Sequence, residues 1–130
     1  MKVFHPSAGG GVASSARLRV VIVTLDNHLS GAVERAQKVL AADGISIGFH
    51  AAADWEGDPD ALERARADIA RGDIIIATML FLEDHIRAVL PALEARREQC
   101  DAMVGLMSGS EIVKLTRLGG YRMDAPAKGP

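Results

Sequence analysis

Apolar residues fall into two kinds of block that alternate along the chain. Residues 18–25, LRVVIVTL, form a continuous run rich in β-branched side chains, the pattern of a strand buried on both faces. From Ser30 to about Ala42, Ala32, Val33, Ala36, Val39 and Leu40 recur at helical spacing, and Gly44 follows as a stop. Residues 45–50, ISIGFH, predict a shorter second strand, weakened at Gly48 and suited to a sheet edge. Asp58, Pro59 and Asp60 signal the start of a helix that runs to about Arg71, with Gly72 behind it. The run DIIIATMLF, residues 73–81, predicts the third strand. LEDHIRAVLPALEARREQ predicts a helix with Ile86, Val89, Leu90 and Leu93 on one side, kinked or delayed by Pro91. Residues 101–108 predict a fourth strand, and SEIVKLTRLGG a fourth helix capped by Ser110 and ended by Gly119-Gly120.

Four strands separated by helices imply an α/β fold, an open doubly wound (Rossmann- or flavodoxin-like) sheet of about four parallel strands in the order 2-1-3-4, with helices on both faces. In that order a crevice is expected at the carboxyl ends of the first and third strands. Asp26, Asn27, His28, Thr78, Met79, Glu83 and Asp84 would line it, with residues 108–111 alongside.

Composition narrows the picture. The chain has 130 residues, 48% of them hydrophobic, enough for one core and too few for two. HPSAGGGVASSA near the start and DAPAKGP at the end are small and polar, so residues 1–16 read as a flexible leader, 17–124 as one domain and 125–130 as a linker. A net charge of -2 gives no reason to expect a nucleic-acid partner. A single cysteine, Cys100, suits a reducing cytoplasm, and no run approaches the roughly 18 apolar residues of a membrane span.

The candidate chemistry starts at TLDNHLSG. Asp26, His28 and Gly31 have the spacing D-x-H-x-x-G, with which cobalamin-binding loops place a histidine on cobalt. In that reading Asp26 holds the other ring nitrogen and Gly31 admits the nucleotide tail. Thr78 and Leu80 would form the companion turn after the third strand, whereas the Gly-Gly expected after the fourth is represented only by Ser108-Gly109-Ser110. The plainer reading makes TLDNHLSG a strand-to-helix turn, and it ranks first. His28, His50 and His85, with Glu83 and Asp84, all fall at strand ends or helix starts, yet none has a tight metal-ligand spacing, so no metal site is assigned. No phosphate-binding glycine loop is present, Asp26 alone does not make a receiver domain, and Ser108, Ser110 and Cys100 have no adjacent base, so no catalytic residue is assigned. Arg96, Arg97 and Glu98 read as a solvated helix end. Met79, Leu80, Phe81 and Met107 could wall an apolar slot, but read first as core.

Residues 108–123, SGSEIVKLTRLGGYRM, are less generic. They resemble the amino-terminal domain of the porphyrin-binding H subunit of magnesium chelatase, with the form E-[IV]-[VM]-[KR]-L-x-[KR]-L-G-x-[FY]-x-M. Glu111, Lys114, Leu115, Arg117, Leu118, Gly119, Tyr121 and Met123 fit it. VVIVTLDNHLSGAVERA and GDIIIATMLFLEDHIRAVLPALEARREQCDAMV resemble the family's earlier segments, so the resemblance covers about residues 18–123.

It implies a piece of a large subunit that presents protoporphyrin IX for Mg2+ insertion in chlorophyll and bacteriochlorophyll biosynthesis, alongside I and D subunits that handle ATP. The subunit that inserts cobalt into a corrin ring is a similar relative. The parent would be an ATP-dependent ligase. This domain would carry no cofactor and would be structural, interdomain or tetrapyrrole-contacting. Glu111, Lys114 and Arg117 are expected along one side of the fourth helix, with Leu115 and Leu118 facing inward and Tyr121 and Met123 leaving an apolar patch on the isolated fragment.

Overall fold

The first strand, β1 (Leu18–Thr24), has parallel neighbours on both sides, and the order of the sheet follows from it. The computed structural model describes residues 17–124; the expected leader and tail lie outside the described residues. After β1 come α1 (Ser30–Leu40), β2 (Ile45–Ala51), α2 (Pro59–Arg71), β3 (Ile74–Thr78), α3 (Glu83–Arg96), β4 (Ala102–Leu106), α4 (Ser110–Val113), β5 (Arg117–Leu118) and β6 (Tyr121–Arg122). The sheet order is β2-β1-β3-β4-β5-β6, parallel through β4, with β5 and β6 added antiparallel. The expected 2-1-3-4 order therefore holds, with β2 at the edge, and the sheet has six strands where four were expected.

The two extra strands replace the expected fourth helix. That helix is a single turn, and Gly109 precedes it in the capping position where Ser110 was expected. Thr116, which is buried, then donates its hydroxyl to the Gly105 carbonyl and accepts from the Gly105 N–H, tying the chain to β4 as a strand would. Gly119, with φ +57°, turns the following hairpin. Pro91 lies inside a helix that begins at Glu83, so it does not delay the start.

Burial follows the register. Val21, Ile75 and Met103 are paired neighbours on one face, fully enclosed with Ala65 and Ile69 of α2 and Val89 and Leu93 of α3. Along α1, by contrast, no residue is fully buried, and Val39, expected on its apolar side, is exposed. This helix lies against β2, where the Gln37 amide donates to Ile45 O (2.9 Å) and accepts from Ile47 N (2.6 Å).

The core face also carries a charge. Asp68 of α2 is only 3% exposed. It accepts two hydrogen bonds from the Arg19 guanidinium, each 2.8 Å, and one of 2.7 Å from His50 Nε2. Arg19 also reaches Ser46 Oγ, two residues before Gly48 on the same face of β2. Gly48 is the floor beneath this pair: a Cβ there would overlap Asp68 Oδ2 and lie 2.6 Å from Arg19 Nη2. Burial pushes the Asp68 carboxyl up, but the hydrogen bonds from His50 and Arg19 and the charge of Arg19 outweigh it and hold the carboxyl far below the ordinary carboxylate range.

A carboxyl lowered in the folded state stabilises the fold above its unfolded value of about 4, and that contribution is lost as pH falls below it. Asp68→Asn should cost about 3 kcal/mol at neutral pH in urea denaturation, the low end for a broken buried pair because Arg19 keeps part of its side chain in water. The variant should also lose less stability than the parent between pH 5 and 3. Gly48→Ala should cost about 2 kcal/mol by forcing the pair apart, and less when combined with Asp68→Asn.

Candidate functional site

Parallel sheets present ligands to the carboxyl ends of their strands, and here those ends are shaped by two strained residues. Met79 after β3 has φ 63° and Met107 after β4 has φ 47°, a left-handed conformation that costs a side-chain-bearing residue about 1 kcal/mol. Both strands stop there, earlier than the apolar runs predicted. The two loops are joined: Met79 N donates to Met107 O (2.9 Å), Leu80 N to Ser108 Oγ (3.0 Å), and Gly109 N to Leu80 O (2.9 Å). Turning the chain outward leaves Phe81, Leu82 and Met107 exposed, with Leu29 exposed in the loop after β1. The core reading of Met79, Leu80, Phe81 and Met107 therefore holds for Leu80 and fails for Phe81 and Met107.

Asp26 Oδ1 accepts from the His28 backbone N–H at 3.1 Å and contacts ring Nδ1 at 2.6 Å. The His28 hydrogen bond holds the Asp26 carboxyl below its ordinary value. Nε2 remains on a ring that is 86% exposed. A Cβ at Gly31 would meet only Arg35, at an ordinary 3.5 Å, so internal packing does not require this glycine. Thr78 ends β3, half-buried, and Leu80 is sealed in the core.

The other histidines diverge. His50 serves Asp68, and His85 meets the edge of Trp55 with ring centroids 6.0 Å apart. Glu83 pairs with Arg87, and no cluster of three ligand-type side chains occurs among the described residues. A cleft of about 810 Å3 opens at the amino edge, walled by Arg17, Asp73, Arg96 and Asp101, away from the strained loops.

The family-motif residues share no helix face. Glu111 is exposed in α4, Lys114 follows its last turn, and Arg117 lies on β5, donating to the Arg97 and Cys100 carbonyls. Leu115 packs on the core as expected, but Leu118 is exposed, because β5 turns it to the opposite face from Arg117.

Sequence reasoning missed the clamp behind this hairpin. Arg97 is buried, donating to Leu115 O and to both oxygens of Asp124, while Glu98 takes two hydrogen bonds from Arg122. Arg96 donates to Gly72 O. The segment is thus no solvated helix end. The Arg97 hydrogen bonds hold the Asp124 carboxyl below its ordinary value, as those from Arg122 do for Glu98. No local pattern marks these partners, which lie as far as 27 residues apart.

The sequence family described as a domain of unknown function, DUF3479, matches residues 19–130. The magnesium-chelatase H subunit of Cereibacter sphaeroides is 47% identical over 122 residues, covering 92% of this chain and 10% of that protein. The Rhodobacter capsulatus protein of the same name is 41% identical over 113 residues, 85% of this chain and 10% of its own length. The chloroplastic magnesium-chelatase ChlH subunit of Oryza sativa subsp. indica is 25% identical over 127 residues, 94% of this chain and 9% of its own. The chain spans about a tenth of the length of these relatives, and the similarity lies in their amino-terminal region. The three segments singled out in the sequence thus fall inside a single match, and the chain belongs to the DUF3479 family.

Proposed function

We propose that this chain acts as the amino-terminal domain of an H-type magnesium chelatase subunit, which handles protoporphyrin IX while I and D subunits supply ATP-driven Mg2+ insertion in (bacterio)chlorophyll biosynthesis. The observation that carries the reading is the 47% identity across 92% of the chain. The domain's own part is non-catalytic. Its fixed features are a buried ion cluster, two joined loops and a clamped hairpin, each of which sets shape. The exposed apolar side chains at the carboxyl edge, Leu29, Phe81, Leu82 and Met107, suit contact with another domain or with the flat face of a tetrapyrrole. No helix among the described residues is long and apolar enough to cross a membrane.

A second reading, cobalamin binding through His28, is favoured by one observation: Asp26 occupies Nδ1 and leaves Nε2 for a metal.

Removing residues 1–124 from the complete subunit should lower chelation with I, D, ATP, Mg2+ and protoporphyrin IX by about tenfold or more, in the range seen when supporting elements displace a site. Unchanged chelation would sink the first reading. The 130-residue chain titrated with cobalamin should leave its absorption spectrum unchanged; a spectral change abolished by His28→Ala would instead establish the second.

A further inference from the structure

Parallel strands that are apolar on both sides belong in sheets covered on both faces. Here one face has α2 and α3 upon it and is sealed, whereas the other has, among the described residues, only α1, drawn over β2 at the far edge. The register shows what is left. Ile76 pairs with Val104, Ala102 with Leu118, and Leu118 with Tyr121, so these side chains share the second face. Ile74, Ile76 and Val104 are only partly buried, although their neighbours Ile75 and Met103 on the first face are enclosed. Towards the hairpin the exposure rises, to 46% at Leu118 and 53% at Tyr121, and Met123 continues the stripe, its sulfur 3.3 Å from the Tyr121 hydroxyl.

This stripe is held in place from behind. Arg117 and Arg122 project from the opposite face of the same two strands and are bound to the end of α3 through Arg97 O, Cys100 O and Glu98. A hairpin with its charged side fixed presents its apolar side without freedom to fold it away. In water an apolar face of this extent is unfavourable, and rigid exposure of this kind marks a binding surface.

The geometry points to the occupant as the following part of the same subunit: the open face of β3–β6 receives an apolar-faced helix from the polypeptide beyond residue 130. This rests on the reading of the chain as part of an H-type subunit. Such a subunit leaves about nine-tenths of its length outside this chain, and the described chain reaches Asp124, two residues beyond β6, the strand that borders the open face. A helix laid there would complete the second layer of the doubly wound fold, in a position no described helix fills.

Hydroxyl-radical footprinting read by mass spectrometry tests this, since Tyr121 and Met123 are both reactive side chains. Oxidation of the two should be about fivefold slower or more in the complete subunit than in the 130-residue chain, as expected for side chains in the dry centre of an interface. Leu118→Asp in the complete subunit should return Met123 towards the faster rate, while Val39→Asp, at an exposed apolar position on α1, should not. Equal rates in subunit and chain would overturn the inference. So would slow oxidation in the chain alone at every concentration, which would make its own termini the cover, or a rate that falls as chain concentration rises, which would make the cover a second copy. The footprint does not depend on turnover: a subunit inactive in chelation but protected at Tyr121 would refute the functional reading and leave the docking face standing.

Discussion

A carboxylate taken out of water needs partners in place before the helix that carries it can settle, and Asp68 imposes that condition on the sheet. Besides Arg71 on its own helix, its partners come from two strands, Arg19 from β1 and His50 from β2, so α2 docks in only one register relative to both. Gly48 lies between them because the space above β2 is already filled by the ion pair. Apolar contacts between α2 and the sheet supply most of the burial, but they would tolerate small slides that three hydrogen bonds to one carboxylate do not. The strand that begins after Gly72 inherits this placement, and β4 and the hairpin are built outward from it.

The parallel half of the fold was legible because its strands are continuous apolar runs separated by helical periodicity. Leu18 to Thr24 and the isoleucines of β3 can hardly be read otherwise, and right-handed crossovers then set the order. The region after β4 was misread because Leu115 and Leu118 are three apart, behind a helix-favouring Glu111 and Lys114. That local preference is overruled by contacts invisible in a linear pattern, the Thr116 hydroxyl on Gly105 and the arginines reaching back to α3. At the candidate site the Asp26–His28 contact spans two residues and so shows in the spacing. The left-handed backbone at Met79 and Met107 gives no such signal, because neither is glycine. The apolar run that looked like one buried strand is therefore part strand and part exposed loop.

Polar and apolar chemistry are divided between the two sides of β5 and β6. On one side arginines tie the hairpin to the end of α3; on the other Leu118 and Tyr121 face away from the core. The second arrangement depends on the first. Without the ion pairs two strands of two residues each are too short to hold a position, and the leucine and tyrosine would be free to collapse onto the nearest apolar surface. The buried Arg97 is the centre of this arrangement, reaching Leu115 O on one side and Asp124 on the other.

The Gln37 amide has a consequence for how the sheet can grow. Its carbonyl and amino groups occupy Ile47 N and Ile45 O, which are the groups a neighbouring strand would seek at the β2 border. A primary amide thus imitates one rung of a further strand and occupies, at the start of β2, two groups that an extended peptide or another copy of the protein would otherwise use.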